Sequence, residues 1–240
     1  MNREAEIQKE REKIDQIDQQ VRILLNQRAE FAQKIGHLKG ESPVYRPERE
    51  AQVLRKGMAE NPGPLSGEMI FRIQREIMSA CLSLEKPLTI GYQTENLLVL
   101  SAIGHQFGSF AKKKKIDSLA ESLKQLLARE IDYLFLEKEA VLKIILQKEM
   151  PSSISFQGEW GDSKGEKFYL IGLGTLSDSG EDKMIFLSTA PIEADWVIAQ
   201  EELAPNCWWI EIKKDNLDIT KIQQEKMIQN LGTFPLIELK

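Results

Sequence analysis

Cysteine is scarce in this 240-residue chain: there are two. Cys81 and Cys207 lie far apart and form no metal-ligand spacing, so free thiols are expected and no metal site. A long hydrophobic run is missing too. The longest apolar stretch, around Leu97–Ile103, is far too short to span a bilayer. The opening MNREAEIQKE has no apolar core and does not read as a signal peptide. An excess of positive charge is also lacking, since the net charge is −5, which argues against nucleic acid as a general partner. These absences point to a cytoplasmic protein with no membrane partner.

What is present is enough apolar material for a core, 42% of residues. Charge is uneven. Residues 1–87 carry 15 Lys+Arg against 14 Asp+Glu, and the remainder 17 against 23. Residues 4–40 read as one helix of about ten turns. Its apolar stripe runs Ile14, Ile17, Val21, Leu24, Phe31, Ile35, Leu38, in steps of three and four. A helix this long suggests a partner helix alongside. A second helix starts at Pro47, with Glu48 and Glu50 in its first turn, and runs to about Glu60. NPGPLSGE breaks it, and a third helix restarts near Ser66 or Gly67 with Ile70, Ile73, Ile77, Ala80 and Leu84 as its stripe. Pro87 ends it.

The texture then changes. LTIGY, DYLFLE, SISFQGEW, KFYLIGLG, MIFLST and CWWIEIKK read as strands. Leu97–Phe107, Ile116–Arg129, Ala140–Lys148 and Leu217–Asn230 read as helices. The fold class is therefore multi-domain, an all-α three-helix unit over 1–87 followed by a small α/β domain over 88–240. The Lys112–Lys115 tract reads as a solvated loop or strand entry, with anion binding as the alternative. Trp208 and Trp209 should face opposite sides of one strand.

One residue breaks the first stripe. The apolar position expected between Val21 and Ile35 is filled by Arg28, and a guanidinium in a seam needs an anion. Lys39 lies nearly three turns above it, and the second helix adds Arg49 and Glu50. Two readings stand at this point: salt bridges to Glu30, Glu48 and Glu50, or a pocket for a small dianion. Arg11 lies 17 residues before Arg28, roughly 25 Å along the helix. It could reach such a pocket only in a second chain whose long helix runs antiparallel, which predicts a dimer with shared sites.

Residues 10–39, EREKIDQIDQQVRILLNQRAEFAQKIGHLK, resemble the first helix of the all-helical chorismate mutases. VYRPERE, NPGPLS and REIMSACLSLEKPL resemble the version fused to prephenate dehydratase in bifunctional P-proteins. The resemblance covers nearly all of residues 7–88. It implies an intertwined helical homodimer with two sites that convert chorismate to prephenate. By position, Arg11 of one chain and Arg28 of the other would bind the two carboxylates. Lys39 would contact a carboxylate and the ether oxygen of the breaking C–O bond, with Glu85 opposite it. Glu50 would bind the ring hydroxyl, Arg49 would support, and Arg46 would contact substrate mainly through its backbone. Cys81 stands where some relatives have serine. The implied catalytic residues are Lys39, Glu85 and Arg28. The rearrangement is pericyclic, so holding the compact conformer and stabilising charge on the ether oxygen suffices, with no metal or cofactor required. To donate to that oxygen Glu85 must hold a proton. Burial favours the neutral acid, whereas nearby Lys39 favours the charged form.

The P-protein resemblance continues into the second half. TIGYQTENLLVLSAIGHQFG resembles the start of a prephenate dehydratase domain without its glycine-rich opening. Glu137-Lys138-Glu139 stands where that family has Glu-Asn-Ser, and Glu166-Lys167-Phe168 where it has Thr-Arg-Phe. About 26 residues separate the two segments, where the family has a whole subdomain. GEDKMIFLSTAP, CWWIEIKKD and LGTFPL resemble parts of the regulatory ACT domain, without its Glu-Ser-Arg-Pro motif. The expectation is a chorismate mutase with a shortened dehydratase and ACT remnant that lacks dehydratase activity. Two alternatives are a non-catalytic helical dimer that regulates another aromatic-pathway enzyme, and an isochorismate pyruvate-lyase.

Overall fold

A helix of 37 residues, α1 (Arg3–Lys39), dominates the N-terminal part of the computed structural model. At ~1.5 Å per residue it is about 55 Å long. The structure describes residues 3–39, 45–94, 97–162, 164–214 and 227–237. Helix α2 (Pro47–Ala59) begins with Pro47 in its first turn, where a missing N–H costs nothing. Helix α3 (Gly67–Glu85) is capped by Ser66, whose Oγ accepts from the Met69 N–H at 3.2 Å. Leu54, Phe71 and Met78 join α2 to α3, and α1 packs on α3.

The third-helix stripe expected from the sequence is not the face that the chain buries. Phe71, Arg75, Met78 and Cys81 turn inward, whereas Ile73 and Leu84 stay about half exposed. The α1 stripe is likewise open: Ile14, Ile17, Val21, Leu24, Phe31, Ile35 and Leu38 are all exposed. Two helices of one chain have more apolar surface than they can cover.

The α/β part holds two sheets. The first has the order β2-β1-β3-β5-β4. Strands β1 (Thr89–Tyr92), β2 (Lys112–Lys115) and β3 (Tyr133–Glu137) are parallel, while β5 (Lys167–Leu173) runs antiparallel to both β3 and β4 (Ile154–Gly161). Helix α4 (Leu97–Phe107) crosses from β1 to β2, and α5 (Leu119–Leu127) from β2 to β3, as parallel pairing requires. Helix α6 (Lys138–Leu146) follows β3. The second sheet is antiparallel, β7-β8-β6-β9, built from β6 (Asp182–Ser188), β7 (Val197–Ala204), β8 (Cys207–Lys213) and β9 (Met227–Pro235).

The lysine tract is the edge strand β2, exposed at all four positions, a charge pattern that discourages edge-to-edge pairing. Strand β7 escaped the sequence reading because its polar residues, Gln200, Glu201 and Glu202, sit on an edge strand. The helix expected over 217–230 is corrected at its end, since Met227–Asn230 begin β9. Pairing with β6 overrides their local preference. Residues 217–226 lie outside the described residues. Trp209 is buried in the core between the sheets, and Trp208 packs half-buried against the other face.

The sheets and helices are tied by polar groups. Lys183, 2.6 Å from Glu211 and 2.7 Å from Glu159, sits in a buried charge cluster. Glu211 also accepts from Tyr169 Oη at 3.0 Å and Trp209 Nε1 at 2.9 Å. The Arg55 guanidinium on α2 donates to the carbonyls of Leu236 at 2.7 Å, Ser179 at 3.0 Å and Glu181 at 2.6 Å. Glu76 on α3 accepts from Ser109 Oγ at 2.6 Å.

Candidate active site

The Pro47 turn sets the phase of α2 so that Glu50 points toward α3 while Arg49 points to solvent. Glu50 pairs with Arg75, whose Nη1 donates to its Oε2. Burial pushes the Glu50 carboxyl up, and the Arg75 and Arg28 charges pull it back down. Arg28 therefore acts on Glu50 across the space between α1 and α2. With Val21, Leu24, Leu25, Val53, Gln74, Ile77 and Met78 it lines an open, mostly apolar groove of about 290 Å³. The Arg28 side chain is exposed within the single chain.

Farther along α3, Cys81 is buried and Glu85 lies against α1. A Cβ placed on Gly36 would come within 2.5 Å of Glu85 Oε2. Glycine at this turn of α1 thus makes room for the carboxylate. Glu85 Oε2 is buried and has no hydrogen-bond partner among the described residues. Such an atom is costly to leave unmatched, which marks a place for a donor or for a proton on the acid itself.

The other expected residues divide. Arg46 is half-buried and bonded to Glu48 at 2.5 Å, so its side chain is engaged by the protein. Arg49 and Arg11 are exposed, and Arg11 is far down α1. The side chain of Lys39 lies outside the described residues. The structure thus brings Arg28, Glu50, Cys81 and Glu85 to the faces between α1, α2 and α3, and leaves Arg11 apart. Sequence reasoning missed Arg75. Its signal was its phase: it falls four residues after Phe71 and three before Met78, on the inward face of α3.

The motif positions of the second half also converge. Glu137 at the end of β3 is paired in register with Phe168 of β5. Glu137, Lys138, Glu139, Glu166, Lys167 and Phe168 line one hollow of about 370 Å³. Apart from Gly165 and Phe168 its walls are lysines and glutamates, and Lys167 is directed to Glu211 at 3.1 Å.

Residues 10–86 match the family model for chorismate mutase type II. The bifunctional chorismate mutase/prephenate dehydratase of Neisseria gonorrhoeae is 43% identical over 125 residues, which cover 52% of this chain and 34% of that protein. The chain spans about a third of the length of the curated relatives it matches. A chorismate mutase structure (form II) from Thermus thermophilus is 38% identical, over 34% of this chain and 94% of that one, with a TM-score of 0.33. A prephenate dehydratase structure from Streptococcus mutans is 13% identical, over 61% of this chain and 97% of that one, with a TM-score of 0.41. Residues 10–86 are a chorismate mutase type II domain, carried on the same chain as a mixed α/β unit.

Proposed function

We propose that this chain converts chorismate to prephenate, as a homodimer with shared sites, through the helical unit of residues 1–87. The observation that carries the reading is the placement of Arg28, Glu50 and Glu85 along the inner faces of α1, α2 and α3, inside a chorismate mutase type II domain. Arg28 supplies fixed positive charge at the groove, suited to one carboxylate of a dianion. Glu50, held by Arg75, is an acceptor for the ring hydroxyl. Glu85, with an unmatched buried oxygen, donates to the ether oxygen when protonated, opposite Lys39. Arg11 and Arg28 serve one site only if two chains contribute. The apolar stripe of α1, open from Ile14 to Leu38, supplies a surface for the second long helix. Cys81, Arg46 and Arg49 complete the site as supporting contacts.

The α/β unit of residues 88–240 does not dehydrate prephenate in this reading. The threonine and arginine that the dehydratase resemblance calls for are replaced by Glu166 and Lys167, and Lys167 is committed to Glu211. Chorismate and prephenate, supplied separately to purified protein, test both parts. Chorismate should yield prephenate and no phenylpyruvate. Phenylpyruvate above the spontaneous rate would overturn the second part. Absence of chorismate turnover would overturn the first and leave a non-catalytic helical dimer.

A further inference from the structure

Between the helical unit and the α/β unit lies a second cavity, of about 330 Å³. This is at the lower end of the roughly 300–1,000 Å³ typical of small-molecule sites. Its walls come from five parts of the chain that meet only on folding: Tyr45 and Pro47 at the start of α2, Phe71 and Arg75 of α3, His105 and Gln106 of α4, Gln157 to Gly161 of β4, and Pro235 to Ile237 at and just after the end of β9. None of these residues lines the groove that holds Arg28; Arg75 is tied to the candidate site through Glu50.

Three features give the cavity a chemistry. One face is flat and aromatic: the Phe71 ring stacks on His105 with centroids 5.0 Å apart at 29°, and Trp160 lines the cavity as well. One cation reaches it. Arg75 is buried, its guanidinium lies 5.4 Å from the Phe71 ring centroid, and its Nε has no hydrogen-bond partner among the described residues. Among the described residues the one carboxylate of the lining is Glu159, and both its oxygens accept from Lys183 Nζ at 2.7 Å. Burial and the Arg75 charge push the His105 imidazole down, which disfavours a second cation there. Gln106 donates to Tyr45 Oη at 3.0 Å, so its amide is held in place at the rim.

We infer that this cavity binds a small monocarboxylate with a flat apolar body, and that Arg75 transmits its occupancy to Glu50. A free guanidinium N–H in a low-dielectric pocket is a strong partner for a carboxylate. The apolar body then covers the Phe71–His105 face. Arg75 holds Glu50 with its other end, so an anion in the cavity competes for the charge that anchors Glu50. Binding stands on the cavity alone; the transmitted effect rests on the proposal that Glu50 contacts chorismate.

Calorimetric titration of the full chain with 3-phenylpropanoate, against 3-phenylpropan-1-ol, tests the site. The acid should bind once per chain, and the alcohol about tenfold or more weaker. Arg75→Lys, which keeps the charge but loses the fork, should weaken the acid by a similar factor. Trp160→Leu, a change on β4 that leaves the Arg75–Glu50 pair in place, should weaken acid and alcohol alike. No heat from the acid, equal affinity for both compounds, or indifference to both substitutions would overturn the site. In a parallel mutase assay the acid should change KM for chorismate in wild type and not in Trp160→Leu. An unchanged KM with the acid bound overturns the transmission. If chorismate is not turned over at all, the functional proposal fails while the titration still judges the site.

Discussion

At the residue scale, the candidate site holds two carboxylates in different surroundings. Glu50 is paired, and burial alone pushes it up. Glu85 has an unmatched oxygen against Gly36. Replacing Glu85 by Gln supplies a permanent donor, so Glu85→Gln should keep kcat whereas Glu85→Ala should lower it; equal kcat in the two variants would show that Glu85 does not donate. Losing the charge at the ether oxygen in Lys39→Ala should lower kcat by about 10²–10³, the scale of a lost oxyanion donor. Steady-state rates at saturating chorismate give that number. Far from the site, Glu211 is held down to about 2. Burial raises it, but Lys183, Trp209 and Lys167 outweigh burial. Its stabilising contribution is full above the ordinary value of 4.5 and is lost as pH falls toward 2. The thermal midpoint should therefore fall through that window in wild type. Glu211→Gln should start lower and flatten the slope.

At the element scale, two glycines make opposite predictions. A methyl on Gly36 meets only the movable end of Glu85, and alanine favours a helix by about 1 kcal/mol. Gly36→Ala should therefore hold or raise the melting temperature while it displaces the carboxylate and lowers kcat. Gly232 of β9 instead lies against β4, where a Cβ would sit 2.3 Å from the Phe156 carbonyl oxygen. Backbone cannot step aside, so Gly232→Ala should cost about 1–3 kcal/mol in denaturant melts. The elements themselves were unevenly legible. Helices α1, α2 and α3 and most inner strands follow from periodicity, Pro47, Ser66 and the apolar runs. Strand β7 and the start of β9 do not, because their polar sequences pair only once β8 and β6 offer a ladder.

At the scale of the whole molecule, one chain leaves the α1 stripe open and Arg11 remote from Arg28. The proposed homodimer would resolve both. Arg11→Ala and Arg28→Ala should each be inactive alone. Unfolded together and refolded in equal amounts, they should recover about a quarter of wild-type activity, because half the dimers are mixed and each has one intact site. No recovery would place both arginines in the same chain's site. The second scale effect is the join between the units, where Arg55 and Glu76 fasten the helices to the α/β unit and Arg75 lines the cavity while it holds Glu50.

By itself, the amino-acid order determined the three helices and the change to strands after Pro87, because periodicity and cap chemistry act over a few residues; Arg11, Arg28, Lys39, Glu50 and Glu85 entered as candidates, most of them through the family resemblance. Only the tertiary structure decided which face of α3 turns inward, that Arg75 holds Glu50, that Gly36 shelters the Glu85 carboxylate, and that a cavity opens between α3, α4 and β4. Those outcomes depend on contacts between segments far apart in the chain, where packing and desolvation choose among faces that local pattern leaves equivalent.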